Sequence, residues 1–155
     1  MDWIIDFLTN PYFVTGMSSW LIAQVAKTII YWIVNKKFDI TRLFGDGGMP
    51  SGHSATVISL ATISALVHGP ASFEFAVSAT LAVIVCHDAT GVRQETGKQA
   101  ILLNQLIELV NDMSSDKIDD ETKLKEFVGH TIPQVIAGAL VGLCNATVLY
   151  FVFFA

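Results

Sequence analysis

The stretch IPQVIAGALVGLCNATVLYFVFFA, residues 132–155, decides what kind of fold this chain adopts. It is a near-continuous apolar run without a charged residue, and Pro133 stands at a plausible first helical position, where its missing N–H costs nothing. A helix needs about 20 apolar residues to cross a bilayer, and this run supplies them. Composition agrees. Of 155 residues, 52% are hydrophobic and only 15% charged, with a mean hydropathy of +0.54, whereas soluble domains carry about 25% charged residues. The sequence predicts a membrane protein, and its length allows one domain.

Working outward from that run, Tyr12 to Asn35 is a second crossing, with Gln24 and Lys27 three apart on one helical face. Residues 1–16 are apolar but broken by Asp2, Asp6 and the Asn10-Pro11 turn signal, and read as an interfacial lead-in. His53 to Val67 and Phe73 to Ala89 flank the tight turn His68-Gly69-Pro70-Ala71-Ser72. Both are short and rich in Ser, Ala and Thr, as helices packed closely on neighbours tend to be. The polar connection 90–131 is different. Gln99 to Met113 carries an apolar stripe at helical spacing, and a second short helix is expected around Asp119 to Val128, closed by Gly129. The predicted fold is all-α: a single membrane domain, 1–155, of about four transmembrane helices with one or two amphipathic helices in its long connection.

Charge orients this bundle. Of nine Lys and Arg residues, eight lie in the first and third connections, and the ninth, Lys27, is inside a span. The positive-inside rule puts both charged connections in the cytoplasm and the termini outside. The expected location is therefore the cell membrane, multi-pass, with the long connection cytoplasmic. A net charge of −5 without a basic tract argues against nucleic acid as a partner. Cys86 and Cys144 lie in apolar runs without metal-ligand spacing and read as packing residues. No secretory signal is evident, since Asp2 and Asp6 occupy the place of a basic leader.

Within the first charged connection, Gly47-Gly48-Met49-Pro50-Ser51-Gly52-His53-Ser54 runs straight into a helix start. Ser51 is a good N-cap. A helix start with unsatisfied N–H groups can bind an anion, and His53 in its first turn can exchange a proton with it. Local geometry alone equally fits a capped helix with a stray histidine. Other polar residues gather on the same side. Lys27 either snorkels to the interface or meets a ligand. Asp88 ends an apolar helix, where the dipole disfavours its charge, so a partner is expected among Arg93, Lys27 and a catalytic histidine. His130 precedes the last span, with Thr131 as N-cap and Gln134 one turn on. His68 belongs to the opposite face. Two histidines among clustered cations suit phosphoryl transfer by covalent catalysis, and no carboxylate cluster calls for a metal.

These residues resemble the type-2 phosphatidic acid phosphatase superfamily, which includes vanadium haloperoxidases and bacterial acid phosphatases, and more closely its short divergent bacterial branch. The matching stretches are Ala23-Gln24-x-x-Lys27, Gly47 to Ala55, Asp88-Ala89-x-Gly91-Val92-Arg93, and Gly129-His130-Thr131-x-x-Gln134-Val135-x-x-Gly138. The resemblance implies a helical bundle and metal-independent hydrolysis of a phosphomonoester or diphosphate, commonly on a lipid. It implies that His130 forms a phosphohistidine and that His53 is the general acid. Gly48, Ser51 and Gly52 would bind phosphate oxygens, with Lys27, Arg42 and Arg93 as cations. The chain also departs from the pattern. Lys36 and Arg42 have five residues between them and no Pro follows Arg42, so Lys27 and Arg42 are taken as the equivalents of the first motif. Leu124 stands where the last motif has an Arg, with Arg93 as candidate replacement. Gln134 replaces the Asp that follows the nucleophile, with Asp88 as candidate source of charge.

The expected function is a membrane phosphatase acting at the cytoplasmic face on a lipid phosphate or diphosphate, without cofactor or metal. The alternative is a non-catalytic membrane protein that binds lipid headgroups or a partner through a retained anion site. Four short spans with one buried lysine offer little polar lining for a transporter. The sequence leaves a homo-oligomer open.

Overall fold

A computed structural model describes residues 2–43, 45, 47–113, 123, 124 and 129–154. These form six α-helices and one 3-10 turn: α1 (Asp2–Leu8), α2 (Pro11–Asn35), the turn Ile40–Leu43, α3 (Gly52–His68), α4 (Phe73–Thr90), α5 (Val92–Met113) and α6 (Ile132–Phe153). The chain is an all-α membrane bundle. The apolar stretches long enough to cross a bilayer are α2, the α4–α5 run Phe73–Met113, and α6.

The remaining expected span, α3, is 17 residues, or about 26 Å at 1.5 Å per residue. It is the enclosed helix, packed against α2, α4 and α6. Most of its inward positions are small: Gly52, Ser54, Ala55, Ser59, Ala61 and Ser64 are buried, together with Val57 and Ile63. Glycines on α6 complete the fit. A Cβ at Gly138 would collide with the Ser51 carbonyl, and one at Gly142 with the Ala55 carbonyl. Close approach lets dispersion and interhelical hydrogen bonds hold helices together where lipid removes the hydrophobic drive. Midway along the bundle, Asn145 of α6 donates to the Ser18 and Ser19 hydroxyls of α2, both at 2.9 Å. Between α3 and α4, Val57, Ala61 and Ala82 form an apolar cluster joined by Ile58, Phe75, Val85 and Cys86. The outward faces carry exposed Leu21, Ile22, Val25, Val83, Ile84, Leu140 and Val148, a belt suited to lipid.

Helix ends sort onto two faces. At one end Tyr12 Oη meets His68 Nε2 at 2.6 Å and the Tyr12 ring lies 6.1 Å from that of Phe154. At the other end the Ser51 amide donates to Gln134 O, the His130 amide to Ala89 O, and Lys27 Nζ to Gly45 O. Helices α2 and α4 therefore run toward the end that holds His130, and α3 and α6 run away from it. Both charged connections meet at that end.

Element limits follow local chemistry. Asn10 caps α2, accepting from the Tyr12 and Phe13 amides, and Pro11 opens it, so the lead-in is confined to α1 and residues 11–16 belong to the span. Ser51 and Ser72 cap α3 and α4 through their hydroxyls. Helix α5 begins at Val92, seven residues before the expected Gln99, because only Gly91 separates it from α4. The helix expected at Asp119 to Val128 lies mostly outside the described residues; Lys123 and Leu124 are described and belong to no helix.

Candidate active site

His130 sits at the junction of three elements. Its amide donates to Ala89 O at the end of α4, at 2.9 Å. Before it, Gly129 adopts φ +89°, and a Cβ there would collide with the Gln94 and Arg93 backbone of α5. After it, α6 begins. His130 is 4% exposed. Its Nδ1 lies 3.2 Å from Gln134 Oε1, and the same oxygen accepts the Thr131 amide at 3.1 Å. A backbone N–H only donates, so this second bond fixes which end of the amide faces the ring. Nδ1 is then the donor, and in the neutral ring Nε2 holds the lone pair. The His53 ring centroid is 6.0 Å from that of His130, with the planes at 61°. The structure places His53, His130 and Gln134 together.

Two cavities flank the loop before α3. The first, about 250 Å³, is lined by His130, Gly129, Thr131 and Gln134, by Gln94, Gly97, Lys98 and Ile101 of α5, and by Gly47 and Gly48. The second, about 180 Å³, is lined by Lys27, Ile30, Tyr31, Val34 and Asn35 of α2, by Arg42 and Met49, and again by Gly47 and Gly48. Gly47 and Gly48 adopt φ +80° and +83°, a region that disfavours side chains. Gly48 also lies against the Lys27 stem, where an added Cβ would come within 3.2 Å of Cγ.

Lys27 is 6% exposed, and its Nζ donates to Gly45 O at 3.2 Å. It turns into the loop and does not snorkel. Gln24, one turn earlier, is 5% exposed, and its buried side-chain oxygen has no hydrogen-bond partner among the described residues. Arg42 lies 4.5 Å from the Tyr31 ring centroid, and its Nε is 4.0 Å from Asp39. The Asp39 carboxyl is held below its ordinary pKa, first by the Thr41 hydroxyl and then by the Thr41 amide, with Arg42 contributing less.

Other expected site residues stand elsewhere. Ser51 is fully buried: its hydroxyl accepts from Ser54 and its amide donates to Gln134 O at 3.0 Å. Gly52 is buried against Trp20. Neither lines either of these cavities, and His53 does not line them either. Arg93 and Asp88 engage each other, Nε to Oδ2 at 2.6 Å, in a half-exposed pair that lines neither cavity. In place of Arg93, α5 lends the histidine cavity Lys98, whose Nζ is 2.7 Å from Glu95. The sequence reading passed over Lys98 and Gln94. Their signal is the buried small-residue face Gly97, Ala100, Asn104, which brings α5 close. Asn104 pins the returning chain, exchanging two 3.0 Å hydrogen bonds with the Leu124 backbone. Among the described residues, no group of three or more His, Cys, Asp and Glu could hold a metal ion.

Comparison with known proteins follows the same residues. The family model described as the divergent PAP2 family matches residues 8–145, which takes in α2 to α6 as far as Asn145. The uncharacterized membrane protein YuiD of Bacillus subtilis (strain 168) is 40% identical over 157 aligned positions, covering 96% of this chain and 99% of that protein. No solved structure matches. The family model thus spans the loop before α3, the His130 junction and the helices that hold them, and the chain belongs to the divergent PAP2 family.

Proposed function

We propose that the protein is a metal-independent phosphatase of the cell membrane that hydrolyses a lipid phosphate or diphosphate at the cytoplasmic face through a phosphohistidine. The observation that carries this reading is the Gln134 hydrogen bond, which fixes His130 Nδ1 as donor and turns the lone pair to Nε2. His130 Nε2 attacks phosphorus. The bond to the leaving oxygen breaks, and that oxygen takes a proton from His53. Water then attacks the phosphohistidine with His53 as base, releasing phosphate and restoring His130. Lys98 lines the same cavity and can turn to the reacting phosphate by giving up its exposed pairing with Glu95.

The test is phosphate release from lipid phosphates by the detergent-purified protein. The His130→Ala variant is expected to lose turnover, and His53→Ala to fall by about 10²–10⁴. Full activity in both variants overturns the mechanism. One observation favours a second reading, a headgroup-binding protein without turnover. The residue that orients His130 is a neutral amide, and Asp88 is engaged by Arg93, so a charge that would stabilise imidazolium is spent elsewhere. Phosphate binding without release from any lipid phosphate selects that reading.

A further inference from the structure

We infer that α5 is seated in the bilayer leaflet on the His130 side, with its outer apolar row among the acyl chains, and that lipid thereby holds one wall of the histidine cavity in place. The partner is the lipid surface itself, and the seating does not depend on turnover at His130.

Among the described residues, α5 packs against no helix of the bundle except α4, and it has three sides. Gly97, Ala100 and Asn104 form the buried side, which the Asn104 bonds to Leu124 turn toward the returning chain. At about 100° per residue, Gln105, Glu108 and Asp112 fall on a second side, polar and exposed. Leu102, Leu103, Leu106, Leu109, Val110 and Met113 make the third, away from the buried side, and all six are exposed, from 41% at Val110 to 89% at Met113. A surface helix of a soluble protein has two sides, one toward the core and one toward water. A helix lying beside a bundle at a membrane surface has a third, for acyl chains.

Depth identifies what covers the third side. Gln94, Gly97, Lys98 and Ile101 border the cavity that Gly47 and Gly48 close, and Gly48 lies against the Lys27 stem. The first half of α5 is therefore level with Lys27. Helix α2 continues from Lys27 to Asn35, about 12 Å at 1.5 Å per residue, and Ile29, Ile33 and Val34 stay exposed along it. The lipid belt thus reaches past the level at which α5 begins. Nor does α5 cross the bilayer. The chain is back beside Asn104 at Leu124, and the His130 amide meets Ala89 O at the end where α4 stops. An exposed apolar row at that depth, on a helix that stays on one side, meets the leaflet.

The seating is apolar in origin. Helix α5 carries Arg93 and Lys98 against Glu95, Glu108 and Asp112, so it has no cationic face to draw it to anionic headgroups. Its cavity residues and its lipid row are on one rigid helix, so the leaflet that holds Leu106 and Leu109 also fixes where Gly97, Lys98 and Ile101 stand.

The experiment uses the full chain in phosphatidylcholine nanodiscs, with Cys86 and Cys144 replaced by Ser and nitroxides on single cysteines. Labels at Leu102→Cys, Leu106→Cys and Leu109→Cys are expected to relax with oxygen and to lie about 5–10 Å below the phosphates. Labels at Gln105→Cys and Glu108→Cys should relax with a water-soluble nickel chelate, and adding phosphatidylglycerol should leave every depth unchanged. Nickel access at the three leucine positions puts the row in water and overturns the inference. Shielding from both reagents puts protein over the row and overturns it as well, with dipolar broadening between labels marking that cover as a second copy of the chain. Seating that requires phosphatidylglycerol overturns its apolar origin. For the cavity wall, Leu106→Gln with Leu109→Gln should speed amide exchange at residues 97–101 about tenfold and leave α3 protected, while Leu106→Met with Leu109→Met keeps wild-type exchange. Unchanged exchange at 97–101 in the Gln pair overturns the hold of lipid on the wall. If the Gln pair loses α3 protection too, Leu106→Gln alone makes the same comparison.

Discussion

Gln134 does at one residue what an Asp and a cap would do at two. Its oxygen closes the start of α6 by accepting the Thr131 amide, and it orients His130 through Nδ1. Gln134→Leu keeps the side chain's bulk and removes both bonds. The expected result is a fall in kcat of about tenfold or more, the scale on which a lost orienting partner acts, with about 1 kcal/mol lost from the helix cap. Gln134→Glu restores both acceptors and adds a charge that favours imidazolium in the attack, so its kcat should stay at or above wild type. Steady-state rates on a lipid phosphate, beside thermal unfolding, separate the two effects. The spacing of His130 and Gln134 was legible because four residues on a helix start share a face. The placing of Ser51 was not. Ser51 and the Gly52 amide are expected from the resemblance to bind phosphate, but the glycine seam of α6 holds the Ser51 amide 3.0 Å from Gln134 O and the Ser51 hydroxyl accepts from Ser54.

At the scale of elements, the α3–α6 seam is the contact that sets the site, because it joins Ser51 to Gln134 before either meets a ligand. Gly142→Ala would push a methyl into the Ala55 carbonyl and crowd the Ser59 amide, which should cost about 1–3 kcal/mol as overpacking does. Gly69→Ala is the control. It has nothing within 4 Å of an added Cβ and suffers only backbone strain at φ +84° and ψ +159°, about 1–3 kcal/mol. The two variants should therefore lose similar stability in detergent and separate in activity, with Gly142→Ala lowering it and Gly69→Ala leaving it near wild type. A second element contact is testable by hydrogen exchange. Asn104→Ala removes both bonds to the Leu124 backbone, and amide protection at residues 123 and 124 should fall while that of α3 is kept. The spans were legible almost to the residue, since the Asn10-Pro11 turn signal, the Ser51 cap and the tight turn 68–72 bound the apolar runs, and Asn10 and Ser72 prove to cap α2 and α4. The start of α5 was not, because Arg93 to Lys98 is polar on every face and its helical period shows only once Leu102 and Leu103 begin the stripe.

For the whole molecule, the arrangement of helix ends carries the functional argument further than any single distance. Tyr12, His68 and Phe154 mark one end, and His130, Ala89 and Gly45 the other. Eight of nine cations lie in the two connections at the second end, and this much was readable from charge alone. The division of that end into two cavities was not, because it depends on Gly48 lying against the Lys27 stem, a contact between residues far apart in the chain. The shared end has a consequence that does not depend on catalysis. In a version with Cys86 and Cys144 replaced by Ser, single cysteines at Lys37, Lys123 and Ala71 should sort by side. An impermeant maleimide added to intact spheroplasts should label Ala71→Cys and spare Lys37→Cys and Lys123→Cys, and all three should react once the membrane is opened. Lys37→Cys and Lys123→Cys reacting from opposite sides would break the shared end, and with it the meeting of Lys27, Arg42 and His130 around one loop. Labelling of those two alone from outside would keep the meeting intact but reverse its orientation, so the phosphate would then be met outside the cell.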